Sequence, residues 1–420
     1  MGDTGDAPSQ VRFVTPRGGN HNLMAEQPQP GCALEVLAVC TRLGLSSFGG
    51  PVAHLGYFRA ELGVRRGWVD EASYADLVAL CQFLPGPASS QVLIALGTAR
   101  AGVIGGIAAW LGFTLPSALA MAAFGLGLGL LGDVSGAGWL HGLKLVAVAV
   151  VAQAVWGMAS RLTPDAPRAT IALAAAILLL LWPAALAQIV AIGVGGLLGW
   201  QLLGGATAAT AAGSAIAVPR SLAWASALLL PLGFVGLPLL AVATGSHAVA
   251  MAAAFFGAGS LVFGGGHVVL PLLERYVVAP GWVGADQFVA GYGVAQAVPG
   301  PLFTFAAYLG AVSTLPPNGW AGAALATVAI FLPSFLLLWA ALPLWGRLRS
   351  APAAQAALRG VNAAVVGILL AALYDPVITS AIRGPLDVAL ALAAFGLLQI
   401  GQAPPWLVVL LAALAGALVL

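Results

Sequence analysis

The chain has 420 residues, of which 60% are hydrophobic and 7% are charged, and its formal net charge is +2. This composition excludes a soluble globular domain, and the small net charge gives no reason to expect nucleic-acid binding. Apolar runs long enough to cross a bilayer recur from about residue 100 onwards. We therefore predict an all-α polytopic membrane protein embedded in a lipid bilayer. The three cysteines lack metal-type spacing, so we expect neither a metal site nor a cofactor.

The ends of the apolar segments suggest how the chain is divided. Residues 1–31 are polar, rich in proline and glycine, and without the pattern of a signal peptide, so we interpret them as a disordered cytoplasmic tail. A first membrane repeat is predicted at 32–203 and a linker with one connecting transmembrane helix at 204–243. A second membrane repeat is predicted at 244–420.

An internal repeat organises the membrane part of the chain. Three motifs recur in the same order, 214 to 217 residues later. The pairs are Phe48-Gly49-Gly50 with Phe263-Gly264-Gly265, Pro85-Gly86-Pro87 with Pro299-Gly300-Pro301, and Leu115-Pro116-Ser117 with Leu332-Pro333-Ser334. One match would be expected by chance in a chain so rich in alanine, leucine and glycine. A collinear series of matches indicates a duplication.

The charges of the loops predict that the two repeats are inverted. The loop after the first Gly-Gly motif carries Arg59, Arg65 and Arg66, whereas the matching loop of the second repeat has only Arg275. Arginine and lysine are enriched in cytoplasmic loops. The unequal arginine content of the two equivalent loops therefore predicts that they lie on opposite sides of the membrane. We expect an inner-membrane protein with a cytoplasmic N-terminus and an external C-terminus.

Two membrane topologies fit this charge pattern. Either the Gly-Gly and Pro-Gly-Pro elements cross the bilayer, or they are re-entrant hairpins and only the later segments of each repeat cross. The re-entrant arrangement is favoured, because it keeps the loop with Arg59, Arg65 and Arg66 on the cytoplasmic side.

The helix breaks predict an anion-binding site. Proline is favoured at the first position of a helix, so Pro87 and Pro301 are expected to begin half-helices whose free N–H groups attract an anion. The glycines allow close backbone approach, and neighbouring hydroxyls add donors. The substrate-binding residues predicted from the breaks are Gly49, Gly50, Pro85, Gly86, Pro87, Ser89, Ser90, Gly264, Gly265, Pro299, Gly300, Pro301 and Thr304. The alternative is that each break is only a kink that helps helices to pack.

A few ionisable residues are further candidates. Lys144 and Arg359 occupy the same repeat position and would together compensate a dianion, unless they only extend to the membrane interface. His54, His267 and Asp76 are candidates for proton coupling, although a histidine beside a helix break also serves structure.

At these motifs the chain resembles the chromate ion transporter family, in its long two-domain form. The resemblance covers roughly residues 33 to 420 and includes Phe48-Gly49-Gly50-Pro51 with His54, Arg65-Arg66-Gly67-Trp68, Gln82-Phe83-Leu84-Pro85-Gly86-Pro87 and their counterparts in the second repeat. It implies export of chromate from the cytoplasm, driven by the membrane gradient with a proton as the coupling ion, and hence chromate resistance. A homodimer is one assembly to consider.

The residues alone lead only to an inverted-repeat transporter of a small anion. Sulfate or another oxyanion is therefore an alternative substrate, because tetrahedral dianions of similar size share the same chemistry. A membrane-embedded enzyme acting on lipid phosphates would need a catalytic cluster, and the scattered charges of this chain argue against it. A passive channel is disfavoured because no ring of like charges is evident.

Overall fold

The computed structural model describes most of the chain. The described residues are 31–130, 137–182, 184–204, 216, 218–263, 268–345 and 351–419. Within these ranges the chain is helical and has no β-strand, which confirms the all-α prediction. The predicted N-terminal tail, except for Gly31, lies outside the described residues.

The helices follow the duplicated order of the motifs. The first repeat contains α1 (Ala33–Ser46), α2 (Gly50–Phe58, continued by a π-helical segment Arg59–Arg65), α3 (Glu71–Phe83), α4 (Ala88–Leu130), α5 (Gly138–Leu162), α6 (Ala166–Leu181) and α7 (Ala185–Leu202). A connecting helix, α8 (Arg220–Thr244), follows. The second repeat contains α9 (His247–Leu261), α10 (Val269–Val277), α11 (Ala285–Ala295), α12 (Phe305–Ala311, preceded by a 3-10 turn Leu302–Thr304), α13 (Gly319–Ala341), α14 (Pro352–Ala372, continued through Leu373–Ile378 to Thr379–Ala381), α15 (Pro385–Gln399) and α16 (Pro405–Val419).

Five helices of the described chain are long and apolar enough to cross a membrane. Their spans are Ala88–Leu128, Gly138–Leu162, Arg220–Thr244, Gly319–Leu344 and Pro352–Ala381. Large apolar side chains on these helices remain exposed, including Trp224 on α8. An exposed apolar surface of this kind is what a lipid-facing helix presents.

The early helices of the first repeat fold into hairpins. α4 bends at Gly102, where φ is +65°, so that its first arm, residues 88–100, runs back beside its second arm. At the end of the first arm, the guanidinium of Arg100 lies 5.3 Å from the ring centroid of Trp68, just before α3. Arg100 also pairs with Glu35 at 3.2 Å, at the start of α1. We call the cluster of Glu35, Trp68 and Arg100 the first base. The opposite ends of the hairpins carry the Gly-Gly and Pro-Gly-Pro motifs, and we call them the Gly-Gly tip and the Pro-Gly-Pro tip.

The second repeat builds the same hairpins. The N–H of Thr314, after α12, donates to the carbonyl oxygen of Trp282, before α11, at 2.9 Å. The ring of His247, at the start of α9, lies 4.5 Å from the ring of Trp282. These residues form the second base. Thr314 and Trp282 are the repeat equivalents of Arg100 and Trp68, so the two repeats close their hairpins at matching positions.

The two bases lie at opposite ends of the long helices. The second arm of α4, residues 103–130, begins at the first base, and Gly125 near its end packs on Val312 at the second base. A helix rises about 35 Å over that distance, slightly more than the hydrocarbon thickness of a bilayer. α13 runs the opposite way, and Nε1 of Trp339 near its end donates to Oγ1 of Thr98 at 3.3 Å, close to the first base. The hairpins therefore enter from opposite faces, as inverted repeats require.

The later helices interlock the two repeats. α5 of the first repeat packs on α15 and α16 of the second, whereas α14 of the second repeat packs on α6 and α7 of the first. Small residues allow these backbones to touch, as where Gly142 meets Ala412 and Gly360 meets Gly199. Because the contact is exchanged in both directions, neither repeat has a core of its own.

This inverted arrangement predicts where thiol reagents reach the chain. Val64 and Ala279 are exposed, occupy equivalent repeat positions, and follow the first and second Gly-Gly hairpins. In a background with Cys32→Ser, we expect Val64→Cys to be labelled by a membrane-impermeant maleimide only from the face of the first base. Ala279→Cys should be labelled only from the other face. Labelling of both from the same face would contradict inverted repeats; Cys40 and Cys81 are buried and should stay unlabelled.

Candidate functional site

The hairpin tips of the two repeats meet at the centre of the molecule through reciprocal hydrogen bonds. The N–H of Gly86 donates to the carbonyl oxygen of Val262 at 2.6 Å, and the N–H of Gly300 donates to that of Ser47 at 2.9 Å. Ser47 and Val262 each directly precede a Phe-Gly-Gly motif. Each Pro-Gly-Pro tip is therefore bonded to the Gly-Gly tip of the other repeat. An exchange of the same contact in both directions is what a two-fold axis generates.

Glycine is required at both Pro-Gly-Pro tips for two reasons. The φ angles of Gly86 and Gly300 are +117° and +99°, a region that residues with a Cβ rarely adopt. A Cβ on Gly86 would also lie 3.0 Å from Oγ of Ser334, and one on Gly300 would lie 2.8 Å from Oγ of Ser117. The Leu-Pro-Ser motif of each repeat thus packs on the Pro-Gly-Pro tip of the other.

A cavity lies where the first Gly-Gly tip faces the second Pro-Gly-Pro tip. It is lined by Gly49, Gly50, Pro51, Val150, Gln153, Ala295, Gln296, Val298, Gly300, Leu302 and Pro405. Its volume is about 80 Å³, several times the 10–15 Å³ or so that one water requires. Three residues predicted from the breaks, Gly49, Gly50 and Gly300, are brought together here, although they come from different motifs and different repeats.

The electrostatic character of this central cavity favours an anion. α2 begins at Gly50 and α16 begins at Pro405, and both residues line the cavity, so the partly positive N-terminal ends of two helices border it. Gln296 also lines the cavity, and its Nε2 atom is buried beside Tyr292. Among the described residues, no carboxylate lines the cavity. The site therefore offers neutral donors to a small anion without a competing negative charge.

The first Pro-Gly-Pro tip carries buried polar side chains that the second lacks. Nδ1 of His54 lies 3.4 Å from Oγ of Ser89, and Nε2 of Gln91 donates to the carbonyl oxygen of Pro85 at 2.7 Å. Several buried atoms around the tips have no hydrogen-bond partner in the described part of the chain: Ser47 Oγ, His54 Nε2, Ser90 Oγ, Gln91 Oε1, Thr114 Oγ1 and Ser334 Oγ. Buried polar atoms normally bind water or ligand when protein partners are absent. The region around the tips is therefore able to hold water or a polar ligand.

The hydroxyls predicted to contact the anion do not line the central cavity. At the second tip, Oγ1 of Thr304 donates to the carbonyl oxygen of Pro301 at 2.8 Å, which closes the local turn. Ser89 and Ser90 lie at the first tip beside His54 rather than at the cavity. The two tips are thus unequal, although their backbones match.

Lys144 and Arg359 are held away from the central cavity by partners of their own. Nζ of the fully buried Lys144 lies 2.9 Å from Oδ1 of Asp286, in the first turn of α11. Arg359 donates to the carbonyl oxygen of Leu203, the residue that ends α7. The structure therefore does not bring the two cations together around one dianion.

The remaining predicted residues are placed as follows. Asp76 is partly buried within α3, away from the residues that line the cavity. Gly264, Gly265 and His267 lie outside the described residues. The second Gly-Gly tip is consequently described only as far as Phe263.

Sequence comparisons find the same two units. The sequence profile of the chromate transporter family matches residues 34–200 and again residues 249–417. The chain belongs to the chromate transporter family. It is 30% identical over 381 residues to a chromate transport protein of Pseudomonas aeruginosa, covering 88% of this chain and 87% of that protein. It is 28% identical over 380 residues to a chromate transport protein of Cupriavidus metallidurans, covering 84% of each. No solved structure matches the chain.

Membership of the chromate transporter family confirms the resemblance seen in the motifs, and it identifies a transporter rather than an enzyme. The duplicated match also agrees with the two-repeat fold. Together with the apolar helices, it establishes a multi-pass membrane protein.

Sequence reasoning missed several residues at the centre. Gln296 was visible only as the repeat partner of Gln82, and a shared glutamine does not show which copy is buried. Ser47, Ser117 and Ser334 contact the tips of the opposite repeat, over sequence distances that periodicity does not report. The repeat offset was the one signal that could have singled them out.

The tight fit at the second tip generates a prediction about stability. Gly300→Ala should destabilise the protein by about 1–3 kcal/mol, because the new Cβ meets Ser117 and the backbone occupies a left-handed region. Gly127→Ala, in the second arm of α4 where nothing lies within 4 Å, is the control and should be neutral or slightly stabilising. Thermal unfolding in detergent measures both. Equal unfolding temperatures for the two variants would contradict the crossed packing.

Proposed function

We propose that this transporter exports chromate from the cytoplasm across the inner membrane and thereby confers chromate resistance. The observation that supports it most directly is the central cavity. It lies between tips of two inverted repeats, as the sites of many secondary transporters do, and its described lining includes two helix N-termini and Gln296 but no carboxylate. We propose chromate as the anion because the relatives are named chromate transport proteins.

The distribution of arginines supports a cytoplasmic N-terminus and an external C-terminus. The start of α5 and the end of α14 meet at the second base, where Lys144 contacts Asp286 and the carbonyl oxygen of Ser380. The opposite ends of these helices therefore lie on the face of the first base. In the described chain, the arginines on that face are Arg59, Arg65, Arg66, Arg100, Arg161, Arg168, Arg220 and Arg359. The face of the second base has Arg275 and Arg383 in the described chain, so the positive-inside rule makes the first base cytoplasmic.

Export of a dianion fits the energetics of a cell membrane. Moving one elementary charge through 100 mV is worth about 2.3 kcal/mol, so a dianion leaving a negative interior gains about 5 kcal/mol per 100 mV. Coupling to inward proton movement would add to this drive. The buried polar tips and helix ends of the chain supply binding groups for the anion but no nucleotide-binding motif, so we propose a secondary transporter.

Sulfate is the second candidate substrate. It is a tetrahedral dianion like chromate, and the cavity presents neutral donors that respond to charge and size rather than to the central atom. We propose that sulfate competes with chromate for binding in the central cavity.

Uptake into inside-out vesicles tests the proposed export. Labelled chromate should accumulate in vesicles that carry the protein, and dissipating the membrane gradient should abolish the accumulation. Excess unlabelled sulfate should reduce it. Vesicles with Gly300→Val provide an inactive control, because the larger side chain cannot fit at the tip. Accumulation no greater than in the control would contradict chromate export, and saturable uptake of sulfate alone would favour the second candidate.

Gln296 can be tested against its own repeat partner. Gln296→Leu should raise the KM for chromate about tenfold, because it removes an amide donor worth about 1–1.5 kcal/mol from a water-poor site. Gln296→Glu should nearly abolish uptake by placing a negative charge beside the anion. Gln82→Leu is the matched control, since Gln82 is exposed and does not line the cavity, and it should change the KM less than twofold. If Gln296→Leu and Gln82→Leu changed the KM equally, the cavity would not be part of the transport route.

A further inference from the structure

A buried histidine–aspartate pair joins the two repeats near the second base. Nε2 of His141, on α5, lies 2.9 Å from Oδ1 of Asp387, on α15. The residues are 7% and 4% exposed. The other carboxylate oxygen of Asp387 accepts hydrogen bonds from the backbone N–H groups of Arg383 and Gly384. Ionisable groups within a membrane domain are costly to bury and are retained mainly where they serve function.

The packing of the two repeats does not require this pair. Other contacts between the repeats occur twice, as the reciprocal hydrogen bonds and the glycine contacts show. The repeat equivalent of His141 is Ala356, and the third position of α6, which corresponds to Asp387 at the third position of α15, is Arg168. The interlocked helices thus pack on one side without a histidine–aspartate pair. A buried ionisable pair on one face only is unexplained by the duplicated fold.

The pair leaves one basic nitrogen open. Asp387 as a carboxylate accepts a hydrogen bond, so Nε2 of His141 carries the hydrogen in the neutral ring and Nδ1 has the free lone pair. Nδ1 is buried and has no hydrogen-bond partner among the described residues. A proton added there yields an imidazolium that the neighbouring carboxylate stabilises. Histidine is the side chain whose charge ordinarily changes between pH 5 and 8.

The pair is adjacent to an ion pair that holds the cavity-lining helix. Lys144 lies one turn after His141 on α5, and it pairs with Asp286 in the first turn of α11. The opposite end of α11 leads directly into Gln296 and Gly300, which line the cavity. A positive charge gained at His141 acts on the Lys144–Asp286 pair and through α11 on the cavity. The half-exposed side chain of Asp286 gives this cluster access to the face of the second base.

The charged groups around His141 are few. α5 itself contributes Lys144, α11 contributes Asp286, and α15 contributes Asp387. The continuation of α14 contributes Asp375, whose Oδ1 accepts a hydrogen bond from Thr379, and the turn before α15 contributes Arg383. α16, which also packs on α5, has no titratable side chain in its described residues, and Arg359 lies at the far end of α14.

We propose that Nδ1 of His141 is the binding site of the coupling proton, with Asp387 as its counterion. The Lys144–Asp286 pair transmits the change of charge to the hairpin that bounds the cavity. This inference rests on the proposed secondary transport, and it places proton coupling at a histidine other than His54 and His267. Protons from the face of the second base reach the site, so inward proton movement accompanies outward movement of the anion.

Two transport assays separate coupling from transport itself. Exchange of labelled for unlabelled chromate at equal pH requires binding and movement of the anion but no net proton movement. Uptake into inside-out vesicles with an acid interior requires both. We expect His141→Gln to keep exchange within about twofold of wild type and to lose the stimulation by the pH gradient, at least tenfold. Asp387→Asn should behave in the same way. It replaces His141→Gln in the test if size-exclusion chromatography shows that His141→Gln does not fold.

His247→Gln is the matched control. His247 lies on the same face, but its partners are the ring of Trp282 and the hydroxyl of Ser313 rather than a carboxylate. This variant should retain both exchange and stimulation. Full stimulation in His141→Gln and Asp387→Asn would overturn the proposal. Absence of both exchange and uptake in the wild type would instead overturn chromate transport.

A readout without chromate tests the proton site even in that case. A cysteine at the exposed Ala285, the first residue of α11, should be labelled at a rate that changes between pH 6 and 8 beyond the change at a reference cysteine at Ala279. His141→Gln should remove this excess pH dependence, whereas His247→Gln should leave it. An excess that persists in His141→Gln, or that is missing in the wild type, would overturn the proposal.

Discussion

The architecture depends on where the backbone polar groups of the broken helices find partners. Lipid cannot accept or donate hydrogen bonds, so each interruption must be satisfied within the protein. The N–H groups of Gly86 and Gly300 meet this requirement by donating to carbonyl oxygens at the Gly-Gly tips of the opposite repeat. Neither repeat supplies the acceptor for the glycine N–H of its own Pro-Gly-Pro tip. Each break is therefore stable only when both repeats are present and inverted.

The central cavity follows from the same constraint. Tips that enter from opposite faces meet near the middle of the long helices, which is where a transported ion must be exchanged between the two sides. The first Gly-Gly tip begins α2 at Gly50, so the partly positive end of that helix borders the gap. The crossed pairing also sets which motifs share the cavity: the Gly-Gly tip of the first repeat and the Pro-Gly-Pro tip of the second. The contacts that support the structure and the proposed anion site use the same backbone geometry.

Chemical differences between the repeats are superimposed on this symmetric frame. The first Pro-Gly-Pro tip has Ser89, Ser90 and Gln91, whereas the second has phenylalanines at Phe303 and Phe305. A buried histidine–aspartate pair joins α5 to α15, and the Lys144–Asp286 ion pair joins α5 to α11 near the second base. A perfectly symmetric protein would treat the two membrane faces alike. Under the proposed proton coupling, the unequal side chains make the two membrane faces chemically different while their backbones match.

The sequence by itself determined the all-α membrane class, the duplication and the breaks. Hydropathy reports burial in lipid, and motifs at a constant offset report a repeat, so both are local properties of the chain. The loop arginines determined the inversion, because their distribution records the side on which each loop lies. Gly49, Gly50 and Gly300 were therefore recognisable as candidates for the site before any contact between them was known.

Only the tertiary structure decided which breaks face each other and which side chains accompany them. Gln296 lines the cavity while its repeat partner Gln82 is exposed, although the two occupy the same position of the repeat. Lys144 looked like an anion ligand, but Asp286, 142 residues later, holds it at the second base. Such pairings depend on the exchange of helices between the repeats. No periodicity along the chain encodes that exchange, because it arises from packing between segments far apart in sequence.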